Sequence, residues 1–167
     1  VSFYVCGPTV YDYIHIGNAR VFIVFDVIRR YLNYQGYRVK MVQNYTDIDD
    51  KMILRAREEG STVAELAQKF ITAYEEDASR LRIRQADHQP RATEHLEPII
   101  DLVRRLEERG LAYRSGGDVY FSSGSYPDYG RLSGQPQEEL LAGARVEPGE
   151  QKKEPLDFAL WKAKKEG

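Results

Sequence analysis

The sequence is poor in the residues that make disulfides, membrane spans and basic nucleic-acid surfaces. A single cysteine, Cys6, among 167 residues excludes an intramolecular disulfide and fits a reducing compartment. No apolar run approaches the ~20 residues that a membrane-crossing helix needs, and no charged-then-apolar leader opens the chain. A cytoplasmic protein with no membrane partner is the expectation. Lys and Arg number 24 against 26 Asp and Glu, for a net charge of −2, so charge alone points to no nucleic-acid partner. Only three imidazoles (His15, His88, His95) and one indole (Trp161) are available to a site. Methionine is absent from position 1, where Val1 leads at once into an apolar strand, so a segment upstream is expected.

What is present is concentrated near the start. Phe3-Tyr4-Val5-Cys6 reads as a short strand, Gly7-Pro8 breaks it, and a long amphipathic pattern begins at Gly17-Asn18. The first unpaired N–H groups of a helix carry partial positive charge, so a loop feeding a helix start is a natural seat for phosphate. This loop carries a thiol (Cys6), two hydroxyls (Thr9, Tyr11) and an imidazole (His15). Each has a plainer reading: a lone cysteine is most often a small core residue, and a loop histidine is most often satisfied locally.

Val21, Phe22, Phe25, Ile28 and Leu32, broadened by Val24, Val27 and Tyr31, predict a largely buried helix, with Gly36 as its left-handed cap. The segment 37–43 alternates like a strand. Strand, helix and strand in this length make a right-handed crossover of a parallel sheet. Cys6 and Gln43-Asn44-Tyr45-Thr46 then stand at the carboxyl ends of two strands, where open α/β sheets bind ligands. Thr46 or Asp47 is expected to cap a helix with Asp49 and Asp50 in its first turn, and Ser61 or Thr62 to cap another carrying Val63, Leu66, Ala67, Phe70, Ile71 and Tyr74. Pro90 marks a break, and a further helix runs from Thr93 to near Gly110. A β-hairpin turning at Ser115-Gly116-Gly117 follows, then a Ser, Gly, Pro and Tyr-rich loop over 122–135 and one helical turn or two over 137–141. An exposed linker over 148–155 and a strand over 156–161 complete the chain. The fold class expected is α/β: a Rossmann-like parallel-sheet half over residues 1–90, then an α+β insertion over 91–167.

The run Tyr4-Val5-Cys6-Gly7-Pro8-Thr9-Val10-Tyr11-Asp12, followed by His15-Ile16-Gly17-Asn18, resembles the first signature of class I aminoacyl-tRNA synthetases, and its context resembles the cysteinyl-tRNA synthetases. Gln43 to Lys51, Pro90-Arg91-Ala92-Thr93, Gly117 to Phe121, Gly143-Ala144-Arg145-Val146 and Asp157 to Lys162 fall in the same family's order. The resemblance covers nearly the whole chain. The family's Lys-Met-Ser-Lys-Ser signature is not in the sequence, nor is the segment with the remaining zinc ligands, so an amino-terminal portion of a longer enzyme is expected.

The resemblance implies cysteine activation by ATP with magnesium, transfer to tRNA(Cys), one zinc per complete enzyme and a monomer. It assigns His15 and Asn18 to catalysis, Pro8, Thr9, His15, Gly17 and Asn18 to the nucleotide, and Cys6, Gly7, Thr9, Thr46 and Trp161 to cysteine, with Tyr4 as a wall. Cys6 is also the implied metal ligand, the others lying downstream; His88 and His95 match no ligand and are expected at the surface. Asn18 departs from the general class I pattern, which has a second histidine there; an amide contributes less charge or only geometry. Thr46 is equally a helix cap and Trp161 equally a packing residue. The pair Arg29-Arg30 and the lysines at 152, 153, 162, 164 and 165 are candidates for tRNA phosphate or simply solvated charge. Two other readings stay open: a ligase joining cysteine to an amino sugar in mycothiol synthesis, and a non-catalytic nucleotide- or partner-binding module.

Overall fold

A computed structural model describes residues 1–134 and 151–163. The turn expected over 137–141, the Gly143-Ala144-Arg145-Val146 run, the first part of the linker, Lys164 and Lys165 lie outside the described residues. The chain forms two compact units, Val1–Leu96 and Glu97–Gly167.

In the first unit β1 (Ser2–Val5), α1 (Ile16–Tyr34), β2 (Lys40–Gln43), α2 (Asp50–Glu59) and α3 (Val63–Arg80) follow in order. β1 and β2 run parallel, from Ser2 opposite Lys40 to Val5 opposite Gln43, with α1 as the crossover. Parallel bridges Val42 to His88 and Tyr45 to Arg91 add a third, irregular line of chain. Met41, Gln43 and Tyr45 are all buried, the two-residue period placing them on one face. There Tyr45 and Tyr74 meet edge to face, and the Tyr74 hydroxyl donates to Gln43 Oε1 at 2.8 Å. Burial pushes the Tyr74 phenol up to about 12, so it stays a donor throughout the physiological range. Leu66, Phe70, Ile71 and Tyr74 of α3 close a core with Val10, Phe22 and Met52. That α3 face is the one its 3.6-residue spacing predicts.

Three sequence expectations need correction here. Asp49, not Thr46 or Asp47, caps α2, accepting from Lys51 N at 2.9 Å. Thr46 is still engaged in strand-like pairing, and Asp47 is buried, its carboxylate taken by the Thr93 N–H at 3.0 Å and by the Thr93 hydroxyl. Of the two caps expected for α3, Ser61 and Thr62, the structure uses Thr62, which forms a reciprocal box with Glu65. α1 is not largely buried. Only Ala19, Phe22, Asp26 and Arg29 are covered, while Val21, Val24, Val27, Ile28 and Tyr31 stay exposed. One face of α1 packs on the α3 side, Phe22 meeting Tyr74 edge to face, and that contact uses only part of an all-round apolar helix. The Arg29-Arg30 pair is not a free phosphate-binding patch either. Arg29 is buried and bonds Asp87 through both carboxylate oxygens at 3.1 Å and Gln85 O at 2.7 Å. Arg30 bonds Asp26 at 2.6 Å and Arg82 O at 2.7 Å.

The second unit holds most of α4 (Leu96–Glu108), then β3 (Ala112–Ser115), β4 (Asp118–Phe121) and β5 (Phe158–Trp161), a three-stranded antiparallel sheet ordered β3-β4-β5. Gly116 and Gly117 both have positive φ, 60° and 92°, which is what a two-residue hairpin turn between right-twisted strands requires. Asp157 organises the corner before β5. Only 2% exposed, it accepts from the Tyr113 hydroxyl at 2.7 Å, Ser123 N and Oγ at 3.0 Å, and Glu154 N at 3.2 Å. Burial alone would raise its carboxyl, but these donors hold it below the usual carboxylate range. A carboxyl depressed on folding stabilises the fold above its unfolded pKa, and that contribution is lost as pH falls through the folded value. Asp157→Ala leaves several buried donors unpaired and is expected to cost about 2–3 kcal/mol, read as a lowered denaturant midpoint.

Candidate functional site

The site is built where β1 and β2 end side by side. Beyond Val5 the chain stays next to the β2 extension: Val10 N donates to Thr46 O and Thr46 N donates to Pro8 O, both at 3.1 Å. Thr9 and Thr46 are thus bridge partners across parallel strands, and the structure brings these two proposed residues together. Gly7 is forced by the same approach. A Cβ built on it would stand 1.6 Å from Asn44 O. No side chain fits there.

Asn44 joins these groups and was quoted in the sequence only as part of a run. Its Oδ1 accepts from the Tyr4 hydroxyl at 2.6 Å and from Gly7 N at 3.0 Å, and its Nδ2 donates to Thr46 Oγ1 at 3.2 Å. The signal available in the sequence was its position, one residue past the end of β2. Tyr4 is 60% exposed, so its ring lies open at the sheet end while its hydroxyl is held. Burial, then the neighbouring Cys6, raises its phenol. Cys6 itself is exposed, which excludes the small-core-residue reading. It shares a strand face with Tyr4 by the two-residue alternation.

The loop from Gly7 to His15 is tied down along its length. Val10 is 1% exposed in the core, and Tyr13 meets Phe70 edge to face. Asp12 pairs with Arg55 of α2 at 2.9 Å; Arg55 in turn pairs with Glu59 at 2.9 Å and lies over the Phe70 ring. The loop ends at His15, the N-cap of α1, whose Nδ1 accepts from Gly17 N at 3.0 Å. In the neutral ring the proton is then on Nε2, the nitrogen the cap leaves unused. Asn18 completes the cap, its Oδ1 accepting from His15 N at 3.2 Å. Gly17 gives the ring its room, since a Cβ there would fall 2.8 Å from His15 Cε1. α1 runs for 19 residues with no acidic side chain in its first turn, so the positive end of its dipole is left uncompensated. A phosphate group placed there would meet the positive end of the helix dipole, a glycine and the imidazole nitrogen that the cap leaves unused.

Pro8 is buried between the strand ends. Trp161 belongs to the second unit, where β5 pairs it with Val119 and it lines a hollow of about 210 Å³ with Val103 and Arg114. His88 and His95 are exposed, as expected. Among the described residues no three His, Cys, Asp or Glu side chains gather where they could hold a metal ion. Cys6 offers one thiolate of a set these residues do not complete, and tight zinc binding needs three or four protein ligands. The dialysed chain is therefore expected to carry well under one equivalent of zinc by elemental analysis. Stoichiometric zinc would mean a ligand set among the other residues.

Solved structures share this architecture. The agnB2 LeuRS of Agrobacterium radiobacter K84, in a ternary complex with tRNA and LeuAMS, aligns with TM-score 0.59 at 22% identity, covering 74% of this chain and 16% of that one. A putative arginyl tRNA synthetase from Campylobacter jejuni aligns with TM-score 0.57 at 14% identity, covering 76% and 39%. At such identities the likeness speaks to fold: the α/β, Rossmann-like fold of the class I synthetases. The sequence carries the assignment further. The family described as "tRNA synthetases class I (C) catalytic domain" matches residues 1–167, and the chain belongs to it. A cysteine–tRNA ligase of Caldicellulosiruptor saccharolyticus is 59% identical over all 167 residues, which span 36% of that relative's length. The chain thus corresponds to about a third of the curated relative.

Proposed function

We propose that this chain is the first part of the catalytic domain of a cysteine–tRNA ligase, acting within a longer protein. Residues 1–90 form the first half of the nucleotide-binding fold and 91–167 the connective insertion. The observation that carries the reading is the paired end of β1 and β2, where Thr9 and Thr46 bridge, continuing directly into a His15-capped helix with an uncompensated positive end. A cysteine site and a triphosphate site then lie along one short stretch of chain.

In the proposed reaction a cysteine carboxylate oxygen attacks the α-phosphorus of ATP. The new P–O bond gives cysteinyl adenylate as the bond to the β-phosphate oxygen breaks and magnesium pyrophosphate leaves. A ribose hydroxyl of the terminal adenosine of tRNA(Cys) then attacks the cysteinyl carbonyl carbon and gives up its proton; the ester forms as the acyl–phosphate C–O bond breaks and AMP leaves. The chain's own work in the first step is positioning and charge stabilisation. His15 Nε2–H donates to phosphate oxygens as charge builds in the transition state. Pro8 and Thr9 shape the nucleotide side of the loop, and Gly17 lets the nucleotide approach the backbone. Asn18 holds His15 in place through the cap and turns its amide toward the same end of α1. Gly7, Thr9 and Thr46 present backbone and hydroxyl contacts to cysteine, with Cys6 and Tyr4 beside them. Trp161 is assigned to the cysteine side from the resemblance alone. Cys6 would supply one ligand of the single zinc proposed for the complete enzyme, the other ligands lying outside the described residues. ATP with magnesium, cysteine and tRNA(Cys) are the partners, and a monomer is the proposed state.

Cysteine-dependent exchange of pyrophosphate into ATP by the full-length protein tests the first step. Charging of tRNA(Cys) tests the second. The mycothiol-type ligase is disfavoured by the family match, and ligation of cysteine to an amino sugar without tRNA charging would reinstate it.

A further inference from the structure

Three features lie outside the assigned residues: the exposed face of α1, a hollow beside the buried Gln43 amide, and the side chain of Asn44. The first has nothing on it to identify its cover. The second, about 260 Å³ and lined by Gln43, Tyr74 and Gln89, holds one unpaired buried amide nitrogen that a water suffices to satisfy. The third has a defined set of partners.

We propose that Asn44 is the positioning residue of the cysteine pocket, an inference that rests on the placement of Gly7 and Thr46 beside cysteine. Its amide spans the gap between the two strand ends. On the β1 side, Oδ1 takes both the Tyr4 hydroxyl (2.6 Å) and the Gly7 N–H (3.0 Å); on its own side, Nδ2 reaches Thr46 Oγ1 (3.2 Å). Tyr4, Gly7 and Thr46 come from two chain segments 39 to 42 residues apart, and one side chain fixes their separation and the orientation of the Thr46 hydroxyl. The amide's donor to Thr46 Oγ1 leaves that hydroxyl's own proton directed elsewhere, whereas a carboxylate, offering only acceptors, would draw the proton to itself, and a shorter side chain cannot span three partners. The backbone reinforces the arrangement: Asn44 O lies where a Gly7 side chain would be, so the segments are already at closest approach. Asn44 itself need not touch cysteine. It acts through the groups it holds.

The His15 end of the loop is held by different contacts: the α1 cap, the Asp12 to Arg55 ion pair and the Tyr13 to Phe70 ring contact. Loss of Asn44 therefore separates the two substrates. In the full-length protein, assayed by cysteine-dependent pyrophosphate exchange, Asn44→Ala is expected to raise KM for cysteine about 10-fold while KM for ATP moves less than about 2-fold. Tyr4→Phe, which removes one of the three bonds, is expected to raise KM for cysteine about 2- to 3-fold, and it keeps the test available if Asn44→Ala fails to fold. Asn44→Asp keeps both Oδ1 contacts and is expected to fall between wild type and alanine. Equal changes in both KM values, or a lower melting temperature with unchanged KM for cysteine, would overturn the proposal. Thr46→Ala, run in parallel, separates this from the site assignment. If it raises KM for cysteine and the Asn44 variants do not, Asn44 is not the positioning residue. If it has no effect, the pocket itself is misplaced and the proposal goes with it.

Discussion

Gly7→Ala is expected to lower the melting temperature of the chain by on the order of 10 °C and to remove cysteine activation by the full-length protein. The added methyl would sit 1.6 Å from Asn44 O, and what it meets is backbone rather than the movable tip of a side chain. The two strand ends must part to admit it, which strains the Gly7 to Asn44 bond and the reciprocal bonds of Val10 and Thr46 just beyond. A cost of about 2–4 kcal/mol follows from forcing atoms into a close-packed contact. Substitution of Gly124, where a Cβ meets nothing within 4 Å, is the matched control and is expected to leave both readouts within error. Differential scanning calorimetry and pyrophosphate exchange read the two effects separately.

The second large effect concerns His15, whose observed cap and proposed phosphate contact can be pulled apart. His15→Ala removes the N-cap acceptor for Gly17 N and the imidazole facing the end of α1. Loss of a cap costs about 1 kcal/mol. Loss of a donor aimed at developing phosphate charge lowers the turnover number for pyrophosphate exchange by about 10² to 10³. His15→Asn restores a good capping side chain and is expected to recover stability, yet its shorter amide does not reach where Nε2 reaches. Recovered stability with persistent loss of turnover marks His15 as a group acting on the reaction. If His15→Asn recovers both, His15 is a cap and no more. Gly17→Ala pushes on the ring from below, with Cβ 2.8 Å from Cε1, and is expected to mimic the loss of turnover with His15 still present.

Much of this could be read from the sequence because local chemistry and tertiary structure agree. α3 shows its buried face at helical spacing and narrows its cap to Ser61 or Thr62, of which Thr62 serves. The hairpin shows its turn as two glycines that both need positive φ. The parallel pairing of β1 and β2 followed from strand, helix and strand in under fifty residues. What escaped was decided at a distance. Asp47 looks like a cap until Thr93, 46 residues on, claims its carboxylate. Arg29 and Arg30 look like a basic patch until Asp87, 58 residues from Arg29, and the Arg82 carbonyl, 52 residues from Arg30, take them. α1 looks buried because its apolar residues go most of the way round, and periodicity does not say how much of a helix is covered. Asn44 is one polar residue in a run of several, and nothing local marks its three partners as different from a solvated side chain.

The proposed function requires the ends of β1 and β2 and the His15-capped start of α1 to form one continuous site for cysteine and ATP. A crystal structure of the full-length protein with a non-hydrolysable cysteinyl adenylate analogue tests it most directly. The cysteinyl moiety is expected within hydrogen-bonding distance of the Gly7, Thr9 and Thr46 stretch, with the phosphoryl oxygens at the α1 N-terminus and His15 Nε2. An analogue bound elsewhere, or one leaving His15 and Thr46 in separate solvent-facing environments, would contradict it.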